Sequence, residues 1–320
     1  MKERIKNLQE ELAQPDLDLH RKVDILNELA WFFRASNNVL CMEYTAQANE
    51  IASKINYESG LLYVKMMKAF EVYFKGNPAD SLMDLQEILK EFEQSEDDKG
   101  RGRTMIFMSV AHWSMANYKD GFKYVNEALV LAEETKAEER ISWANYILGT
   151  FYMDLKDYEN SLACLERAMF FFEKTEDLTG KIACMSSIGG ILQATGKYEQ
   201  ALKQHQESYD FAKKISQEGQ LARALHDIGI VYESLEEFEI ALDYLKQSLE
   251  IRLKIQNQQG IISCHNNIGR VFMKLNKFEE SLEHLKEGEK MCREINAKNK
   301  LIPIVKLQAD VYKKMGTERV

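Results

Sequence analysis

Five cysteines, six histidines and three tryptophans are the side chains of this 320-residue chain best suited to chemistry. Metal ligation would need cysteine and histidine at ligand spacing, and nucleophilic catalysis would need one of them beside a base. Cys41, Cys164, Cys184, Cys264 and Cys292 include no CxxC pair and lie inside helical patterns, where a buried free thiol is expected. His20, His112, His205, His226, His265 and His284 are scattered, with no HxxxH pair and third partner. Gly189–Gly190 falls within a helical pattern and matches neither a GxGxxG nor a Walker loop, and the chain has no GxSxG or HExxH. Acidic residues are so abundant that carboxylate pairs at helical spacing carry no signal. The chain therefore reads as a non-enzyme, with no catalytic residue, cofactor or metal and no small-molecule substrate expected. The chemistry left is binding, in which Trp, Tyr and Arg carry most interface energy.

The elements that position these residues are set by a period. Cys41, Ser81, Gly121, Ser161, Ala201, Ala241 and Ser281 stand 40 residues apart. Ala48, Ile88, Ala128, Ala168, Ser208, Ser248 and Gly288 run in step, and so do Ala69, Ser109, Gly149, Gly189, Gly229, Gly269 and Ala309. A sustained period of this length means an array of stacked units, each hiding its apolar face on its neighbours. Residues 143–176 show what one unit is. Ile147, Leu148, Phe151, Tyr152 and Leu155 recur at helical spacing, Lys156–Tyr158 breaks the pattern, and Leu162, Leu165, Ala168, Met169 and Phe172 resume it. The unit is helix A, short turn, helix B. Its small residues let A and B approach closely. The aromatics Tyr118, Tyr158, Tyr198, Phe238 and Phe278 are expected to plug the turn against the core.

The stretch LGTFYMDLKDYENSLACLERA resembles the tetratricopeptide repeat, and IGGILQATGKYEQALKQHQES, IGIVYESLEEFEIALDYLKQS and IGRVFMKLNKFEESLEHLKEG repeat it. The resemblance spans about residues 20–315. It implies an all-α, right-handed superhelical solenoid of about seven helix-turn-helix units. The period of 40 exceeds the family's commoner 34, and the extra residues are expected between units, around Gly60, Gly100, Gly180, Gly219 and Gly260. The first unit has a shorter turn, and Pro78 replaces the turn aromatic of the second. Three segments follow: residues 1–17 as an N-terminal capping helix, 18–298 as the array, and 299–320 as helix A of a truncated eighth repeat or a cap. In the truncated case Ile304, Leu307, Val311 and Tyr312 lack their helix B cover, which favours self-association through this helix.

Composition bounds the partners. A net charge of −9 disfavours nonspecific binding to nucleic acid or an anionic membrane. No apolar run approaches a membrane span, and the start MKERIKNLQEELAQ is amphipathic and charged, unlike a signal peptide. With free cysteines, the expected compartment is the cytoplasm.

In the array that the resemblance implies, helix A lines a concave groove. The phase of the small residues aims Trp31, Tyr63, Phe70, Tyr73, Trp113, Trp143 and Tyr146 into its first half, and Arg223, His226, Asn266 and Arg270 into its second. All three tryptophans fall on this wall. The expected function is a protein- or peptide-binding scaffold, with the aromatics as anchors and the polar residues orienting the partner. The competing reading of these aromatics is packing between successive A helices. Asn266, Asn267 and Arg270 are a fragment of the carboxylate clamp of some family members, but the matching lysines are missing, so chaperone-tail binding is not expected. The alternative function is a sensory module of a longer bacterial signalling protein, with a histidine kinase, nucleotide cyclase or similar output domain past Val320.

Overall fold

A left-handed residue at every twentieth position from 56 to 276 sets the architecture. The computed structural model describes residues 2–34, 37–295 and 297–318, and among these the chain forms helices and no strand. The helices are α1 (Lys2–Leu12), α2 (Leu19–Phe33), α3 (Asn38–Lys54), α4 (Glu58–Phe74), α5 (Pro78–Gln94), α6 (Asp98–Ser114), α7 (Tyr118–Glu134) and α8 (Glu138–Asp154). They continue as α9 (Tyr158–Lys174), α10 (Leu178–Ala194), α11 (Tyr198–Lys214), α12 (Glu218–Ser234), α13 (Phe238–Lys254), α14 (Gln258–Lys274), α15 (Phe278–Glu294) and α16 (Lys298–Glu318). Glu96, Ala116, Lys156, Glu236 and Asn276 all have φ between 55° and 63°. The residue after each closes the helix end, as Asp97 N–H does on Phe92 O (3.0 Å) and Lys277 N–H on Phe272 O (2.9 Å). This is the six-to-one bond of a Schellman end.

The recurring end corrects one expectation. Gly60, Gly100, Gly180, Gly219 and Gly260 lie in the first turns of helices, not in linkers. Connections within and between units are equally short, as at 155–157 and 175–177, so the extra length of the 40-residue unit lies in its 17-residue helices. The left-handed positions also give a stability prediction. Ala116 (φ 61°) strains an exposed turn that glycine adopts freely. Ala116→Gly is expected to raise the unfolding free energy by about 0.5–1 kcal/mol, after its higher unfolded-state entropy is subtracted. A lowered midpoint in urea would contradict this.

The small residues do what their spacing suggests. A Cβ on Gly149 would stand 2.8 Å from Leu165 Cγ, one on Gly229 2.9 Å from Leu245 Cγ, and one on Gly269 2.7 Å from Leu285 Cγ. Ser81, Ser161 and Ser281 each donate 2.7 Å hydrogen bonds to the carbonyls of Ala69, Gly149 and Gly269 across the same A–B seam. The end of helix B meets the next helix A through a second complementarity. Phe92, Phe172 and Arg252 face Gly100, Gly180 and Gly260, where a Cβ would come within 2.2, 2.2 and 2.7 Å. Ala132 and Ala212 stand at the equivalent positions where the residue eight later is Arg140 or Gln220. At these five junctions one large residue fills the space, whereas at Ala52 and Gly60 both are small and Tyr57 and Val23 fill it. The turn aromatics differ from expectation: each is the first residue of helix B, Phe278 alone is buried, and Tyr118 is exposed. The three-residue turn leaves that position at the rim of the A–B pair.

The chain divides into two compact units, Met1–Cys184 and Met185–Val320, with the division inside α10. In the first, α1 lies on α2, and A helices contact in succession, α2 on α4, α4 on α6 and α6 on α8. In the second, α12 touches α14 and α14 touches α16. A helices therefore form the inner wall of each unit, and B helices cover the outside. In α16, Ile304 and Val311 are fully buried against α14 and α15, while Ile302 (70% exposed), Val305 and Tyr312 face outward. The expected uncovered strip is thus corrected: Ile304 and Val311 meet the preceding repeat, and the outward face is the one that carries Ala309. Arg319 and Val320 lie outside the described residues.

Candidate binding walls

The wall of the first unit is filled by its own side chains. Trp31 on α2 is 1% exposed. It lies between the guanidinium groups of Arg34 and Arg103, at 3.6 and 4.2 Å from its ring, and donates from Nε1 to Glu139 Oε1 (2.5 Å) on α8. The wall curls far enough within this unit for α2 to touch α8. Arg103 is fully buried and donates to Glu28 (2.8 Å), which also pairs with Lys99. Burial alone would raise the Glu28 carboxyl, but the charges of Arg103 and Lys99 hold it at about 2. Burial brings the Arg34 guanidinium down to about 10. Trp143 is also buried, at 9% exposure, edge-on to Tyr146 and Phe172 with Arg34 above its ring.

The remaining aromatics are half-buried. Tyr63 donates to Asp97 (2.6 Å), and burial raises its hydroxyl pKa. Phe70 stacks on Phe107 at 4.5 Å and contacts Tyr73. Trp113 stacks on Phe151 at 3.9 Å, packs against Tyr118 and Phe122, and donates to Asp154 (2.7 Å). These residues lie on the A helices α4, α6 and α8. Trp31, however, is buried between A helices, and Trp143 is buried against Phe172 of helix B and Arg34.

The wall of the second unit is polar and more open. Arg223, His226, Asn266 and Arg270 are all partly exposed, on α12 and α14. His226 Nδ1 lies 3.3 Å from Asp227, and its Nε2 meets Asn267 Nδ2 at 2.7 Å. Arg270 grips the buried Glu233 with two hydrogen bonds of 2.7 and 2.6 Å, and Lys274 joins them. Arg223 approaches Asp227 at 3.8 Å. The structure thus brings Arg223 and His226 together around one carboxylate, and holds Arg270 on another.

Several members of these networks escape a reading by helical phase. Glu28 on α2 pairs with Lys99 and Arg103 on α6, and Glu139 on α8 reaches Trp31 and Arg103. His205 takes the seam position held by Leu165, Leu245 and Leu285; its ring faces Gly189, is 1% exposed, and has no hydrogen-bond partner at either nitrogen. Its Nδ1 is 4.0 Å from Asp227, which occupies the place of Phe107 and Ile147. The available signal is comparison along the period: His205 stands where Leu165, Leu245 and Leu285 do, and Asp227 is the one charged residue at a position that alternates between apolar (Met67, Phe107, Ile147) and neutral polar (Asn27, Ser187, Asn267).

Helix pairs of nearly one length, joined by Schellman turns and sealed by a Gly–Leu seam, define a helical-repeat fold. Residues 140–294 are tetratricopeptide repeats: the family's model matches 140–214, 181–254 and 220–294. No curated protein matches the chain. Among solved structures it is similar in fold to a Rap protein complexed with competence and sporulation factor (TM-score 0.68, 17% identity, 93% of this chain and 87% of that one). It is also similar to NprR in complex with its cognate peptide NprX (TM-score 0.66, 18% identity, 91% and 85%). The apo quorum sensor NprR from B. thuringiensis gives TM-score 0.59 at 18% identity, covering 92% and 83%. Among the described residues, no helix is long and apolar enough to cross a membrane.

Proposed function

We propose that this chain is a binding protein, not an enzyme, that takes a peptide or an extended protein segment on the inner wall of its A helices. The observation that carries the reading is the second unit's wall, where Arg223 and His226, and one repeat later Asn266 and Arg270, keep polar groups partly open to solvent. Such groups set register and specificity, while the half-buried Tyr63, Phe70, Tyr73, Trp113 and Tyr146 offer apolar edges in the first unit. The Rap and NprR structures support it, since each was solved with a peptide or factor bound. The cytoplasm is the compartment that fits free thiols and such a role. The exposed face of Ile302, Val305 and Tyr312 supports self-association as an accompanying property.

The test is selection from a displayed random-peptide library followed by variants. Arg223→Ala and Asn266→Ala should each weaken a selected peptide about tenfold, an effect of about 1.4 kcal/mol. Lys246→Ala and Glu250→Ala, exposed on α13, should leave binding unchanged. The reverse pattern would move the site to the outer surface. The second reading, a sensory module of a longer signalling protein, is favoured by the likeness to a quorum sensor. A reading frame that runs past Val320 into an output domain would decide for it.

A further inference from the structure

Two cations of the second unit occupy positions that are otherwise apolar or small in most repeats. Arg252 stands where the other repeats have Ala52, Phe92, Ala132, Phe172, Ala212 and Cys292. Lys300 stands where four of them have Gly60, Gly100, Gly180 and Gly260. The two meet on one turn of α14: Arg252 Nη1 donates to Gly260 O (2.8 Å), and Lys300 Nζ donates to the adjacent carbonyl, Gln259 O (3.0 Å), and to Ser263 Oγ (2.7 Å). Arg252 is 8% exposed. Among the described residues neither cation forms an ion pair. Asp227 and Glu233, carboxylates of the same unit, are committed to His226 and Arg223, and to Arg270 and Lys274.

Neutral carbonyls do not offset two charges removed from water; buried charges are normally paired. The thiols nearby do not serve either, because burial raises Cys264 and Cys292 and keeps them neutral. Lys300 also stands in the first turn of α16, where the helix dipole adds positive potential, while Arg252 stands in the last turn of α13. Five guanidinium donors and three ammonium donors exceed the three bonds they make, so donors remain for an incoming oxygen.

We infer that Arg252 and Lys300 are the cationic half of an oxyanion site, which takes a carboxylate or phosphate group from the side where Lys300, Gln259 and Ser263 are partly exposed. An anion there would pair both charges at once and link α13, α14 and α16. Burial, and then the charge of Arg252, bring the Lys300 ammonium down to about 8, with Cys264 and Cys292 also facing it and His226 close by. The site therefore carries both charges at pH 7 and holds an anion more weakly as Lys300 gives up its proton near pH 8.

The test measures hydrogen-exchange protection of α14 and α16, with thermal unfolding alongside, in chloride, acetate and phosphate at pH 7 and equal ionic strength. In the wild-type chain, acetate or phosphate should raise protection at these helices and lift the midpoint by about 2 °C or more over chloride. Lys300→Arg should keep the increment. Lys300→Met should erase it while raising the midpoint in chloride, because a half-buried unpaired charge is gone; this variant carries the test if Arg252→Met fails to fold. A response to acetate assigns the site to carboxylates, as on an acidic peptide, and a response to phosphate alone assigns it to phosphate. General salting-out by phosphate acts on every variant alike. An increment unchanged in Lys300→Met, or none in the wild-type chain, overturns the inference, and neither result bears on peptide binding at Arg223 and Asn266.

Discussion

Lowering the pH from 7 to 5 is expected to unfold the second unit while the first stays native. His205, His226, His265 and His284 all lie in residues 185–320, and burial lowers the pKa of each. They are neutral when folded and take up protons on unfolding once the pH drops below about 6.5. Where the unfolded state binds more protons, stability falls as pH falls. His265 and His284 add to this, since their Nδ1 atoms are 3.1 Å apart and cannot both carry a charge cheaply. The first unit has one such histidine, His112, and a stronger acid buttress. Glu28, held at about 2 by Arg103 and Lys99 against its burial, contributes stability above its unfolded pKa of about 4.5 and loses it only as pH falls towards 2. Its 13% side-chain exposure leaves little solvent screening, so the contribution at neutral pH is about 3 kcal/mol.

The experiment has a natural separation of probes. Trp31, Trp113 and Trp143 all lie in the first unit, so fluorescence reports that unit and far-UV circular dichroism reports both. The dichroism should fall at a higher pH than the fluorescence shifts. His205→Leu restores the Gly–Leu seam of the flanking repeats and removes a buried imidazole without hydrogen-bond partners, at a gain of about 1–3 kcal/mol. It should shift the dichroism transition to lower pH. Coincident transitions, or an acid midpoint unmoved by His205→Leu, would refute this account.

Gly229→Leu is expected to lower the melting temperature of the second unit by several degrees. Its Cβ alone would stand 2.9 Å from Leu245 Cγ and 3.2 Å from the Ala241 carbonyl, and the latter is backbone that cannot rotate away. Overpacking of this kind costs about 1–3 kcal/mol, at about 2–4 °C for each. Glu236→Gly, seven residues on, relieves a left-handed turn (φ 63°) on the exposed surface and should raise the midpoint instead. Equal melting temperatures for the two variants would mean that the A–B seam is not where the small residues place it.

The repeat phase was legible because volume is a strict demand. A seam that admits only a small residue must find one every 40 positions, and spacing alone exposes it at Gly149, Gly229 and Gly269 with Ser161, Ala241 and Ser281. Helical phase likewise sufficed to send Trp31, Trp113 and Trp143 to the inner wall. It did not say whether that wall is open. Trp31 is sealed by Glu139, 108 residues away, because the rotation from one A helix to the next is the sum of many seam volumes and no single window of sequence contains it. The same holds for His205 beside Asp227, and for Arg252 beside Lys300. His205 and Arg252 are odd residues at their repeat positions, and only the packing of neighbouring helices brings each to its partner. Local volume and helical phase define the units, their helices and the faces they bury; contacts between distant repeats settle which wall residues meet a neighbour and which meet solvent.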